Sequence, residues 1–243
     1  MALTKVNNDL QDALAAAQPT ITSVGTLTGL TVGGTLSSGD ITIAVDDTPT
    51  LNFKKASSAD VLAGINVTTD AGSGGKLVIQ TKRNGNTPVD RLTIDDDGRV
   101  TQPYQPCFTA RAPQNTSGGG NSNGGTVSSG NLIFAASAFN NGSHYSTSNG
   151  RFTAPVTGHY YFSFSLLWDD SGNGTGYVAL RKNNSLSLQY GYAYVHDTGQ
   201  YGYLQVAGGA VVQLNANEYV QVYCNIAGWH IGSESNWAGF LLG

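Results

Sequence analysis

Cysteine is nearly absent from this chain. Two residues, Cys107 and Cys224, among 243 rule out the dense disulfide framework that staples small secreted folds. Nor do they show the short ligand spacing of a zinc motif. Charge is scarce as well. Charged residues make up 12% of the chain and the formal net charge is −4, with no basic stripe, so nucleic acid is not an expected partner. No apolar run reaches membrane-spanning length, and no membrane insertion is expected. Met1 to Asp9 lack the apolar centre of a signal peptide. The four histidines, His144, His159, His196 and His230, are scattered and form no H-x-x-x-H pair. No nucleophile elbow, phosphate-binding loop or kinase set occurs. The chain therefore reads as a non-enzyme with no catalytic residues and no motif for a metal or cofactor.

What the chain does hold is glycine, 32 residues of it, with abundant Thr, Ser, Asn and Tyr. That composition belongs to an all-β protein with many turns, long enough to bury a substantial core.

In order, residues 1–19 read as a short helix. Leu3, Val6, Leu10, Ala13 and Ala17 fall at helical spacing and Gln18-Pro19 ends the run. Alone it is marginal, so residues 2–17 are either a frayed terminus, a short trimeric bundle held together by a trimer elsewhere, or an anchor that docks into a larger particle. Residues 20–37 carry a quasi-repeat, Gly25-Thr26-Leu27-Thr28, Gly29-Leu30-Thr31-Val32, Gly33-Gly34-Thr35-Leu36. One chain cannot bury a core with so few apolar residues. The segment is either a linker or a shaft in which three chains share an axis. Residues 38–101 form a small β-rich module, with the turn signal Asn84-Gly85 and the cadence RLTIDDDGRV from Arg91 to Val100. Gln102-Pro103-Tyr104-Gln105-Pro106 is the boundary before a larger unit, residues 104–243. Within it, 114–130 reads as an exposed low-complexity loop. Strands are expected at 158–168, 177–182, 186–195, 201–214, 218–227 and 236–242.

The clearest pattern lies between Phe134 and Phe164. From Gly158 to Leu166 the chain alternates strictly, with Tyr160, Phe162, Phe164 and Leu166 on one face and His159, Tyr161, Ser163 and Ser165 on the other. Phe134, Asn140, Tyr145, Phe152, Gly158, Tyr160, Phe162 and Phe164 match the complement C1q globular-head family in both type and spacing. Asn236-Trp237-Ala238-Gly239-Phe240-Leu241-Leu242 resembles that family's closing strand. The resemblance implies a ten-stranded C1q/tumour necrosis factor-like jelly roll that assembles as a homotrimer. No Gly-X-Y collagen stalk precedes it. The first residues, the Gly/Thr segment and RLTIDDDGRV are instead similar to pieces of tail spikes and fibres, the first of these to those of marine cyanobacterial phages.

Candidate contact residues are aromatic. Tyr190, Tyr192 and Tyr194 share a face of one strand by alternation, and Tyr201 and Tyr203 share a face of the next. Tyrosine plates of this kind either pack at a subunit interface or stack on sugars. Trp229 and His230 sit in a Gly-flanked stretch, and Trp229 is either a packed residue or a contact on a loop tip. Tyr219 and Tyr223 oppose Val220, Val222 and Cys224, so their strand is apolar or aromatic on both faces. With Tyr161 they form the candidate trimer interface, since a lone sandwich needs only one buried face per strand. Cys224 reads as a core thiol, and a bridge to Cys107 stays open. Asp95-Asp96-Asp97-Gly98 reads as a hairpin turn, lacking the later carboxylate of a calcium loop. Asp169-Asp170 is the better calcium candidate, although no motif supports a structural calcium.

These readings converge on a bacteriophage virion fibre whose trimeric knob attaches to a host-surface glycan or protein, the N-terminus docking into another virion protein. A capsid decoration protein without a receptor is the alternative. A secreted C1q-type lectin is a third reading, disfavoured by the missing signal peptide and collagen.

Overall fold

The computed structural model describes residues 49–54, 60–69, 74–114, 126–127, 129–168, 173–198, 203–230 and 232–243. The expected N-terminal helix and the Gly/Thr segment lie outside these residues. The described residues are all-β.

Five strands come first: β1 (Thr50–Lys54), β2 (Val61–Thr69), β3 (Gly75–Lys82), β4 (Pro88–Ile94) and β5 (Val100–Thr101). They form an antiparallel sheet in sequence order. The Asn84-Gly85 turn joins β3 to β4, with Gly85 at φ 79°, a conformation glycine adopts without cost. Asp95 organises the next turn. Its carboxylate accepts the N–H groups of Asp97 (3.1 Å) and Arg99 (2.8 Å) and the Arg99 Nε (2.7 Å). Those bonds, the Arg99 side chain first, hold the Asp95 carboxyl below its ordinary value. The acidic run is thus an internally paired hairpin turn, as its sequence indicates.

Pairing register sorts this sheet into two unlike faces. Leu51, Ile65, Ile79 and Leu92 stand directly across from one another on four strands, and Val67, Leu77, Ile94 and Val100 do the same one step along. The opposite face carries a polar ladder, in which Asn66 Nδ2 donates to Gln80 Oε1 (2.8 Å) and Gln80 Nε2 to Asp90 Oδ1 (2.7 Å).

Thirteen strands follow: β6 (Cys107–Gln114), β7 (Thr126–Val127), β8 (Gly130–Asn131), β9 (Ile133–Asn141), β10 (Tyr145–Ser146), β11 (Arg151–Thr153), β12 (Gly158–Trp168), β13 (Asn173–Lys182), β14 (Gln189–Thr198), β15 (Leu204–Leu214), β16 (Tyr219–Cys224), β17 (Trp229–His230) and β18 (Asn236–Leu241). One sheet runs β10-β11-β16-β13-β14 with β8 on β16. The other runs β7-β17-β12-β18-β6-β9 with β15 on β12. The two sheets make the expected jelly roll, in which β7, β8, β10 and β17 are only two residues long. The end of the supposed 114–130 loop is therefore strand, because Val127 pairs with Trp229 and Gly130 with Cys224.

The alternation in β12 becomes burial. Tyr160, Phe162, Leu166 and Trp168 are fully enclosed, and Phe164 nearly so, in one core with Phe108 and Trp237 of the same sheet and Phe152 of the other. The Phe134–Tyr145 spacing has a specific cause. Tyr145 Oη donates to the Phe134 carbonyl (2.7 Å) and accepts the Phe134 N–H (3.0 Å). Asn140 Nδ2 donates to the Tyr145 carbonyl (2.7 Å), while its Oδ1 accepts the Tyr145 N–H (3.1 Å). Burial pushes the Tyr145 phenol up to about 12, so it stays a neutral donor at all ordinary pH. Cys224 is likewise enclosed and its thiol is pushed up to about 12, chiefly by burial. Cys107 and Cys224 are not bridged.

Candidate recognition surface

One glycine rearranges the tyrosine stripe. Between Val178 and Leu180 on β13, the register on β14 jumps from Ala193 to Tyr190, so β14 carries one extra residue. Gly191 sits there at φ 59°, the left-handed conformation of a glycine bulge. A side chain at Gly191 would also meet the backbone of Gly209 at 2.9 Å. The bulge shifts the alternation by one. Tyr190 pairs with Leu180 and packs against the core, while Tyr192 and Tyr194 point outward, 43% and 70% exposed. The three-tyrosine face expected from alternation is corrected to two.

Tyr177, which alternation alone did not single out, completes the surface. It pairs with Tyr194 across the strands, and its ring lies 5.1 Å from Tyr192, 5.9 Å from Tyr194 and 6.1 Å from Tyr223. Tyr192 and Tyr194 stack at 5.9 Å and 13° between planes. Burial and the neighbouring Tyr177 and Tyr194 raise the Tyr192 phenol. The outer face of this sheet is thus a tyrosine platform whose members come from β13, β14 and β16. Only strand pairing brings Tyr177 to it, which is why no sequence-local signal marked it.

The three candidate interface residues do not share a surface. Tyr219 and Tyr223 lie on the same outer face as the platform, half-buried, and each is covered by an arginine. Arg151 stands 4.2 Å from the Tyr219 ring centre and Arg181 3.2 Å from that of Tyr223. The second aromatic face of β16 is therefore met inside the chain by cation–π stacking, and does not by itself require a partner. Tyr161 lies on the outer face of the other sheet, between Phe240 and Val211 on the adjoining strands. Phe240 and Val211 are 43% and 52% exposed, so this row is the head's own unpartnered apolar strip.

Trp229 is corrected from contact residue to core. It is fully enclosed, its Nε1 donates to the Ile226 carbonyl (2.8 Å), and β17 pairs it with Trp168. An indole with its one donor satisfied gains most by full burial. His230 is half-buried. Its Nδ1 accepts the Gly232 N–H (3.1 Å), lies 3.2 Å from the Glu234 carboxylate, and its ring meets Tyr203 edge-on at 6.3 Å. It stands apart from the platform. Tyr203 is 62% exposed, whereas Tyr201 and Asp169-Asp170 fall outside the described residues. Among the described residues, no cluster of three or more His, Cys, Asp or Glu could hold a metal ion.

Glu218 anchors the base of this sheet. Its carboxylate receives Lys182 Nζ (2.6 Å), the Asn215 N–H (2.8 Å) and Asn183 Nδ2 (2.8 Å). These bonds, Lys182 first, hold its carboxyl below the ordinary value. A lowered folded pKa means the stabilisation is complete above the ordinary glutamate value and is lost as pH falls through the folded one. Glu218→Gln should cost roughly 1 kcal/mol at neutral pH for a partly exposed charged hydrogen bond. It should also flatten the loss of stability below about pH 4. Urea titrations at neutral and acid pH would check both.

Comparison with known proteins places the head. The C1q domain model matches residues 119–242, just over half of the chain. The chain belongs to the C1q domain family. Solved structures to which the chain is similar include the globular domain of zebrafish complement 1qA, at 18% identity and a TM-score of 0.43, covering 57% of this chain and 98% of that one. Murine APRIL is 10% identical, with a TM-score of 0.44 and coverage of 57% and 99%. The Eiger TNF of S. frugiperda is 12% identical, with a TM-score of 0.45 and coverage of 57% and 93%. The C1q match begins inside the 115–125 stretch, yet β6 pairs with both β18 and β9. The C1q head of this chain therefore includes Cys107–Gln114.

Proposed function

We propose that this protein is a bacteriophage virion fibre component whose C1q heads, assembled as a trimer, attach the particle to the host cell surface. The observation that carries the reading is the apolar face of the N-terminal sheet. Leu51, Phe53, Ile65, Val67, Ile79 and Val100 stand 37–57% exposed there, on strands whose register puts the same face together. A sheet with one bare apolar face is stable once that face is covered. Three copies around one axis cover it for each other, which is how a slender shaft can hold together without a core of its own. The upstream Gly/Thr segment suits the same arrangement.

The virion context rests on the resemblance of the first residues and of RLTIDDDGRV to phage spikes and fibres. Residues 2–17 would dock into another virion protein. Attachment would work by avidity: three modest sites per knob, and several knobs per particle, multiply weak affinities. Gold-labelled antibody against the head, imaged on whole particles, tests the reading together with binding of purified protein to host cells. Label at fibre tips and saturable cell binding are expected. Label spread over the shell without cell binding would favour decoration of the capsid, and unlabelled particles would sink both.

A further inference from the structure

The outer face of the platform sheet buries a polar row. Gln189 on β14, Arg181 on β13 and Gln221 on β16 are direct cross-strand neighbours, and Arg151 on β11 lies beside Gln221, its neighbour Phe152 pairing with Val220. Arg181 is only 6% exposed and Gln221 2%. Side chains of this kind are normally buried only when fully hydrogen-bonded. Here they are not. Arg181 Nη1 donates to Asn184 Oδ1 (3.1 Å), but its Nε and Nη2 are enclosed without a hydrogen bond. So are Arg151 Nε, Gln189 Nε2, Gln221 Oε1 and Asn131 Oδ1.

The balance of that row has a sign. In the row four unmet groups are donors and one is an acceptor, Asn131 on β8 adds a second acceptor, and two of the row's side chains are cations. Among the described residues, no carboxylate lies within ion-pair distance of Arg181 or Arg151. Arg181 is also held flat by Tyr223 at 3.2 Å, leaving the Nε and Nη2 edge as a pre-set fork. A fork of that geometry fits a carboxylate or sulfate through two parallel bonds. Beside it lie Tyr192, Tyr177 and Tyr194, amphipathic plates suited to sugar rings.

We propose that Arg181 and the tyrosine platform form a binding site for an acidic oligosaccharide, its carboxylate or sulfate held by Arg181 Nε and Nη2 and its rings stacked on Tyr192 and Tyr194. Entry requires the covering side chains to turn aside. Tyr192 is exposed, and its hydroxyl donates to Gln189 Oε1 (2.6 Å), the side chain next to Arg181 across the strands. This deepens the attachment reading by naming the ligand class, and rests on it only for biological context.

The test titrates the whole protein with oligogalacturonate (carboxylated), chondroitin sulfate oligomers (carboxylated and sulfated), dextran sulfate (sulfated only) and neutral dextran, by calorimetry at physiological salt. Binding of at least one acidic probe and none of dextran is expected, and comparing the two single-anion probes identifies the preferred group. Arg181→Met should weaken that binding at least tenfold while the thermal midpoint stays level or rises, because a buried unpaired charge has been removed. Arg181→Lys, losing the planar fork, should weaken it as well. Wild-type protein that ignores every acidic probe at millimolar concentration overturns the site, as does an Arg181→Met or Arg181→Lys variant that binds like wild type. Host-cell binding that survives in both variants would leave attachment standing while removing this site. Wild-type protein that binds the acidic probes but not host cells would do the reverse.

Discussion

Replacing Trp237 by alanine should cost the head about 3–5 kcal/mol, the range for a large aromatic removed from a core. Trp237 is fully enclosed and is the hub of the aromatic cluster. Its ring meets Phe108 edge-on at 4.6 Å, Tyr145 at 5.6 Å, Phe162 at 5.9 Å and Phe134 at 6.1 Å. Phe108 and Phe162 come from the strands flanking β18, and Tyr145 from the facing sheet, so one deletion opens a void against both layers. Rigid neighbouring rings relax poorly into such a space. Domains are stable by only about 5–15 kcal/mol, so the loss takes a large part of the total. Denaturant titration should show a lower midpoint with an unchanged slope. Trp237→Phe should retain more than half of what alanine loses. An alanine variant as stable as wild type would mean the cluster is not the core.

If three copies share the bare sheet face as proposed, placing lysine at both Ile65 and Ile79 should reduce the particle mass in solution from trimer to monomer. These residues are adjacent at the centre of the bare apolar face, each 37% exposed in one chain. In a single copy the lysines would point into water and leave β2–β3 pairing intact. In an assembly they would bring several cations together in an apolar interior, where an uncompensated charge costs about 3–5 kcal/mol. Light scattering distinguishes the outcomes. A wild-type monomer at micromolar concentration would defeat the trimer altogether. A trimer that tolerates both lysines would move the contact to the head, where Tyr161, Phe240 and Val211 offer the other exposed apolar strip.

Much of the head was legible because strand burial is a local pattern. Tyr160, Phe162, Phe164 and Leu166 announce one buried face two residues at a time, and Val220, Val222 and Cys224 announce another. The Phe134, Asn140, Tyr145 spacing was visible without its reason, the exchange of hydrogen bonds that ties Tyr145 to Phe134 and Asn140. The candidate site was less legible. Tyr190, Tyr192 and Tyr194 looked equivalent because alternation assumes an unbroken strand, and Gly191 breaks it. Trp229 looked like a loop residue because its flanking glycines suggest a turn, whereas pairing with Trp168 encloses it.

By itself, the sequence determined the all-β class, the inward faces of the long strands and the turn chemistry at Asn84-Gly85 and Asp95–Arg99, since each depends on residues within a few positions. The tertiary structure alone decided the bulge at Gly191, the meeting of Tyr177 with Tyr192, Tyr194 and Tyr223, and the burial of Arg181 without a counter-charge. Those features depend on which strands become neighbours and in what register, and residues more than forty positions apart in the chain, such as Tyr177 and Tyr223, acquire their environment only when that pairing is made.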